Sequence, residues 1–315
     1  MAPHNLTLTL TLAGALSLMV GACSPRDNTD RTTSVGDTAA GAKSAGSRMA
    51  TKTGEIRDLQ GPEAARWDAD QNVWFVDNIN GEAGGKDNNG FISRIKADGT
   101  MDSLKFIAGG VRKVTLNAPK GMAIVGDTLW VADIDVVRAF NRRTGAPITT
   151  VTAAGAKFLN DAVASPDGTI YLTDTGVTPD FKHPGPDRIY QVKNRKASIA
   201  LESSKLSGPN GITWAGDHFV IVPFLGTEIV SWKPGDKDVQ VIGTGPGQHD
   251  GVEVLKDGSL LTTSWTDSSL FMLKDGQTTR VAYPVPSAAD IGFDGESKVL
   301  VPLLMENRIE FWEMP

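Results

Sequence analysis

Six polar residues, Glu63, Lys120, Asn160, Asn210, Asp250 and Asp290, recur along the chain at intervals of 57, 40, 50, 40 and 40 positions. Behind each of the first five, seven positions on, stands an aspartate: Asp70, Asp127, Asp167, Asp217 and Asp257. The sixth copy departs slightly, with Asp294-Gly295 at the corresponding turn. Residues this far apart do chemistry together only if a repeating fold gathers them. Gathered, they offer three carboxylates, two amides and one ammonium. Carboxylates held close repel one another unless a proton or a cation offsets them. Oxygen donors without thiolates, and with one imidazole nearby at most, favour a hard cation, Ca²⁺ before Mg²⁺. The plainer alternative is a wet channel whose polar lining does nothing more.

The elements that would position these residues are strands. Beyond residue 53 the chain runs in short apolar stretches of period two, broken by Asp-Gly, Pro-Asp-Gly and Asn-Gly turns, with no sustained helical period. Each of the six residues precedes such a stretch, as in Val73–Val76, Leu129–Ala132, Ile170–Thr173, Phe219–Val222, Leu260–Thr263 and Val299–Val301. A third stretch follows each time: Phe91–Ile95, Val136–Phe140, Arg188–Val192, Glu228–Trp232, Leu270–Leu273 and Arg308–Trp312. The two long intervals hold a Gly/Asn-rich insert, residues 79–90, and a Pro-rich insert, residues 177–187. Four strands in about 40 residues make a propeller blade. The expected fold is therefore all-β, a six-bladed β-propeller over residues 54–315. The last copy stops after its third strand, and Gly54–Leu59 supplies the fourth, so the N-terminal strand completes the last blade and removes a free edge. Strand starts of all six blades then meet at one mouth of the central channel. Asn210-Gly211, which alone reads as a hairpin turn, keeps the offset of Asp250-Gly251 and belongs to this ring.

At this point the residues carry a resemblance. Glu63 with Trp67 four positions on, Asn160-Asp161, Pro209-Asn210-Gly211 and Asp250-Gly251 resemble the gluconolactonase/regucalcin (senescence marker protein) family of six-bladed propellers. The resemblance implies a divalent metal near the axis, Ca²⁺ first, with Mg²⁺ or Zn²⁺ as alternatives. It implies Glu63, Asn210 and Asp250 as ligands, with Asn160 as a further ligand or substrate contact. It also implies hydrolysis of a small lactone or ester, with Asp250 as general base. A bound cation would polarise the carbonyl and acidify a water. His249, where the family usually has Pro, is a candidate proton carrier or else a structural histidine. The chain departs from the family at Phe158, where sugar lactonases carry Arg, and in having Gly61-Pro62 before Glu63 rather than Gly-Pro after it. Lys120 adds a cation that would pair with Glu63 or Asp290 and weaken metal binding. Lys120, Phe158, Asn160 and Asp290 are the expected substrate contacts, and Phe158 favours a substrate less polar than a sugar lactone.

Other chemistries lack their motifs. The chain has no Gly-x-Ser-x-Gly elbow, P-loop, dinucleotide fingerprint or His-Glu-x-x-His pair. His183 and His218 read as surface histidines, and most of the seven tryptophans as packing between blades. A net charge of −6 argues against tracking nucleic-acid phosphates. The competing functions are a non-catalytic propeller that binds a ligand or protein, and a metal-free condensing enzyme resembling strictosidine synthase.

The one cysteine excludes an intramolecular disulfide and a cysteine-rich zinc site. Leu6–Val20 is an apolar run too short for a bilayer span and suits a signal-peptide core, although residues 1–22 contain no Lys or Arg. Val20-Gly21-Ala22-Cys23 resembles a bacterial lipobox, so Cys23 is the expected lipidation site, with a cleaved signal and an incidental cysteine as the alternative. Residues 23–53 then form a flexible tether of Ser, Thr, Gly, Ala and Asp, reaching on the order of 30 Å. Ser24 rather than Asp after the cysteine points to the outer membrane, with the domain facing the periplasm. The expected protein is a monomer that touches the membrane through its lipid alone.

Overall fold

The structure, a computed structural model, describes residues 49–315. The expected signal peptide, Cys23 and nearly all of the expected tether lie outside the described residues. Blade one comprises β2 to β5, at Pro62–Asp68, Val73–Asn78, Phe91–Lys96 and Met101–Ala108. Blade two comprises β6 to β9, at Pro119–Val125, Thr128–Asp133, Val136–Asn141 and Pro147–Thr152. Blade three follows with β10 to β13, at Leu159–Ala164, Ile170–Asp174, Arg188–Lys193 and Lys196–Glu202. Blade four has β14 to β17, at Pro209–Ala215, His218–Pro223, Glu228–Trp232 and Gln240–Thr244. Blade five has β18 to β21, at His249–Val254, Leu260–Ser264, Ser269–Lys274 and Gln277–Ala282. Blade six is built from β22 (Gly292–Phe293), β23 (Lys298–Leu303), β24 (Arg308–Glu313) and, from the other end of the chain, β1 (Thr51–Ile56). Six four-stranded antiparallel sheets with the closing strand from the N-terminus are the architecture the repeat required.

Burial explains why these segments are strands. The second strands are covered on both faces by neighbouring blades and are apolar nearly throughout, whereas outer strands such as β5 and β13 alternate towards solvent. The core is a set of seams between blades. Phe75, Ile92 and Leu116 meet Met122, Leu129 and Val131 in one. Trp74 and Val76 meet Leu300, Ile309 and Phe311 in another. Trp74, Trp232 and Trp312 are buried in such seams, as expected of packing tryptophans.

Two irregularities shape the channel mouth. In blades one to five the pairing of the first two strands breaks between the residue before the ring position and the second residue after it, for example between Pro209 and Ile212. A bulge of this kind frees the side chain from the sheet's regular alternation. In blade six the first strand is only two residues long, because the backbone of Asp290 is taken by blade one. Its N–H donates to the Glu63 carbonyl at 2.8 Å and its carbonyl accepts from Ala65 at 3.2 Å.

Closure joins Thr51 to Glu313 and Ile56 to Ile309, with a register step between Lys52 and Gly54. The closing strand therefore begins three residues ahead of the expected start at 54. Lys52 also reaches the carboxylates of Glu55 (2.7 Å) and Glu310 (2.6 Å). A chain beginning at residue 57 leaves β24 as a bare edge. Its melting temperature should fall by roughly 10 °C or more, with soluble aggregates on size-exclusion chromatography. An unchanged melting curve would contradict closure through β1.

Candidate metal centre

Side-chain braces set the height of the ring. Asn78, Asp133 and Asp174, at the ends of second strands, accept the amide three residues ahead of the ring position: Gln60 at 3.0 Å, Asn117 at 3.1 Å and Lys157 at 3.2 Å. Next to the last residue of second strands β3, β11 and β19, Asp77, Thr173 and Thr263 accept the amide just after the ring position: Ala64 at 3.0 Å, Asp161 at 2.9 Å and Gly251 at 2.9 Å. Glu63 and Asn160 are thus held by hydrogen bonds on both sides, Lys120 on the near side and Asp250 on the far side. Glycine follows the ring position where inner strands crowd. A Cβ on Gly211 would run into the Asp250 carbonyl, and one on Gly251 into the Asp290–Ile291 backbone.

Glu63, Asn160, Asn210 and Asp250 are each at most 6% exposed. Each keeps one buried oxygen without a hydrogen-bond partner: Glu63 Oε2, Asn160 Oδ1, Asn210 Oδ1 and Asp250 Oδ1. Buried oxygens normally find a donor. Four left open at one mouth, two carboxylate and two amide, fit a hard cation. Among the described residues no three His, Cys, Asp or Glu side chains form a metal-holding group, so the set depends on its two amides. Burial, and then the Asp77 and Asp250 charges, push Glu63 well above the usual carboxylate range, with Lys120 opposing. Asp250 is pushed up to about 7, chiefly by burial and next by the charge of Asp161. Asn210 and Trp265 stand beside its carboxyl and favour the charged form, although neither makes a hydrogen bond of full geometry.

Beneath the ring is a second tier not foreseen from the sequence. The Arg66 guanidinium pairs with Glu253 at 2.9 Å and approaches Asp161 at 3.6 Å and Asp290 at 3.7 Å. Burial raises Asp290 well above its ordinary range and Glu253 to about 7, with Arg66 pulling both down. Asp161 is itself anchored, accepting from Ala162 at 2.6 Å and from Ile212 of the next blade at 2.8 Å. The signal was a charge three residues beyond Glu63 and again beyond Asp250, inside the first strands of their blades.

Lys120 corrects an expectation. It pairs with neither Glu63 nor Asp290. Its ammonium donates to the carbonyls of Ala83 (2.8 Å) and Ala118 (3.1 Å) and lies 4.2 Å over the Phe158 ring. Burial lowers its affinity for the proton, against the pull of Glu63, Asp133 and Asp77. Ala83 belongs to the Gly/Asn-rich insert, so Lys120 ties that insert down over the mouth. Phe158 is buried under it. Asp290 sits nearer the Arg66 tier, with both carboxylate oxygens unpartnered. His249 is fully buried; its neighbours are the Thr263 carbonyl at 3.0 Å and the Thr262 hydroxyl at 3.3 Å, and no ring residue bonds to it. Burial lowers its pKa. His183 is tied to Asp187 at 2.6 Å and His218 lies at the surface beside Asp217. Two concavities of 530 and 490 Å³ on the outer flanks of blade one and of blades four and five contain no ring residue.

No protein-family model and no curated protein matches the chain. Solved structures do. A calcium-binding regucalcin from Agrobacterium tumefaciens is 17% identical, with a TM-score of 0.60 over 83% of this chain and 93% of that one. A protein assigned as a gluconolactonase is 14% identical, with a TM-score of 0.62 over 85% and 92%. A streptogramin B lyase is 13% identical, with a TM-score of 0.59 over 83% and 97%. Identities this low establish the propeller and leave the chemistry to the site.

The direction of the Asp250 shift makes a prediction. A carboxyl held near 7 in the fold and near 4 when unfolded contributes stability below about pH 4 that is lost as pH rises through about 7. In EDTA, Asp250→Asn should therefore gain on the parent chain by up to about 4 kcal/mol between pH 4 and 8. Calcium should reverse that order at pH 8 and have little effect at pH 5. Denaturant titrations across that range decide it, and parallel pH profiles would remove the buried-carboxyl assignment.

Proposed function

We propose that the protein is a divalent-metal-dependent hydrolase of small lactones or esters, of gluconolactonase/regucalcin type, tethered to the bacterial cell envelope through Cys23. The observation that carries this reading is the set of four open, buried oxygens on Glu63, Asn160, Asn210 and Asp250. Ca²⁺ is the cation that such a set suits first. A cation seated there supplies polarisation of the substrate carbonyl and a lowered pKa for water.

The chain's own residues do the rest. Glu63 and the two amides present unpartnered oxygens from three different blades. Asp250, with a proton affinity near neutrality, accepts the proton of the attacking water. The water oxygen bonds to the acyl carbon, the acyl–oxygen bond breaks, and the alcohol oxygen leaves carrying a proton. A hydroxy acid results from a lactone, or an acid and an alcohol from an ester. Arg66 offsets part of the charge of the carboxyls beneath, Glu253 most closely.

Asn210→Ala and Asp250→Ala should each lower lactone or ester kcat/KM at least 100-fold in Ca²⁺, while a cooperative melting transition in EDTA shows that both variants fold. Calcium affinity, followed by calorimetry, should fall in both. Undiminished turnover in the two folded variants would sink the catalytic assignment. Calcium binding without turnover of any lactone or ester would instead favour a ligand-binding propeller, a use the fold also admits.

A further inference from the structure

The mouth carries aromatic side chains in two pairs that flank the candidate metal ligands. Phe158 stands two residues ahead of Asn160, and its ring centroid lies 6.1 Å from that of Phe181 in the Pro-rich insert. Phe224 follows Pro223, the strand partner of Pro209, and so stands beside the start of the Asn210 strand. Its ring lies 5.8 Å from Trp265, edge to face, and Trp265 neighbours the Asp250 carboxyl. Phe181 is 63% exposed and Leu225, next to Phe224, is 50% exposed. Large apolar groups left in water around a polar centre mark a binding surface rather than core.

The cationic groups nearby are already engaged. In the two inserts Lys86 pairs with Asp135 at 2.6 Å, Lys182 with Asp180 at 2.7 Å, and His183 with Asp187. The donors of Lys120 go to two carbonyls and the Phe158 face. An anionic ligand would meet a mouth rich in carboxylates. A sugar's hydroxyls would meet aromatic carbon.

Resting on the hydrolase reading, we propose that the site selects uncharged lactones or esters with a hydrophobic chain. The chain lies between Phe181, which the buried Phe158 backs, and the Phe224/Trp265 pair, while the acyl group faces Asn210 and Asp250. Phe181 is the residue that sets this preference at the rim.

The test is a series of γ-lactones with alkyl tails from methyl to octyl, assayed in Ca²⁺ beside gluconolactone and a carboxylate-tailed lactone. Expected is a rise in kcat/KM of about threefold per added methylene, with both polar lactones poorer than the octyl compound. Phe181→Ser should cut the gain per methylene by about half, while Ile148→Ser, on the outer strand β9, leaves it unchanged. A flat series, or better turnover of either polar lactone, overturns the proposal. Uncleavable alkyl lactams, measured by tryptophan fluorescence, separate the two readings. If no lactone is cleaved, lactam affinity that climbs with chain length keeps the apolar seat and removes only the hydrolase. Lactam affinity independent of chain length removes the seat itself.

Discussion

Six carboxyls, those of Glu63, Asp77, Asp161, Asp250, Glu253 and Asp290, gather about one axis, Glu253 half-buried and the rest buried, with two cations, the half-buried Arg66 and the buried Lys120, to answer them. That imbalance is the constraint around which the rest is arranged. Such a set cannot be fully ionised in a low-dielectric interior without more positive charge. Arg66 pairs closely with Glu253 and only approaches Asp161 and Asp290. Lys120 is drawn aside to the insert. The upper tier keeps its protons or takes an external cation, and Glu63 Oε2 and Asp250 Oδ1 have no hydrogen-bond partner. The backbone braces and the glycines behind the ring hold the array against its own repulsion.

Much of this was legible in the chain before any coordinates. The turn aspartates gave the blade register, and the register gathered Glu63, Asn160, Asn210 and Asp250 across 187 positions. Arg66 and Glu253 escaped for a geometric reason. In a regular strand, residues three apart point to opposite faces, so a parity count puts Arg66 away from Glu63. The bulge after each ring position inserts one residue and restores them to the same side. Lys120 was misjudged because its partners come from an insert whose path the sequence does not specify. The start of β1 was set late for a similar reason: a register step at Lys52/Gly54 breaks the alternation that a strand reading relies on.

The propeller divides labour between its parts. Apolar seams between blades carry stability and are nearly independent of the axis. The inserts of blades one and three touch each other where Gly84 packs against Pro179, and they alter the mouth without disturbing the strands. Streptogramin B lyase, regucalcin and this chain share the scaffold at identities of 17% or less, as expected where function resides in a few side chains and loops.

The pairing of β1 with β24 joins residues more than 250 positions apart, which has a consequence for biosynthesis. During translation the first strand emerges long before its partner exists, and the last blade has no complete sheet until Glu313 has cleared the ribosome. Until then the nascent ring is an open crescent with two unsatisfied margins. Sequence separation of this size slows folding and lengthens exposure to wrong partners. The charged flank of β1, Lys52, Glu55 and Arg57, suits a strand that must wait in water before it is used.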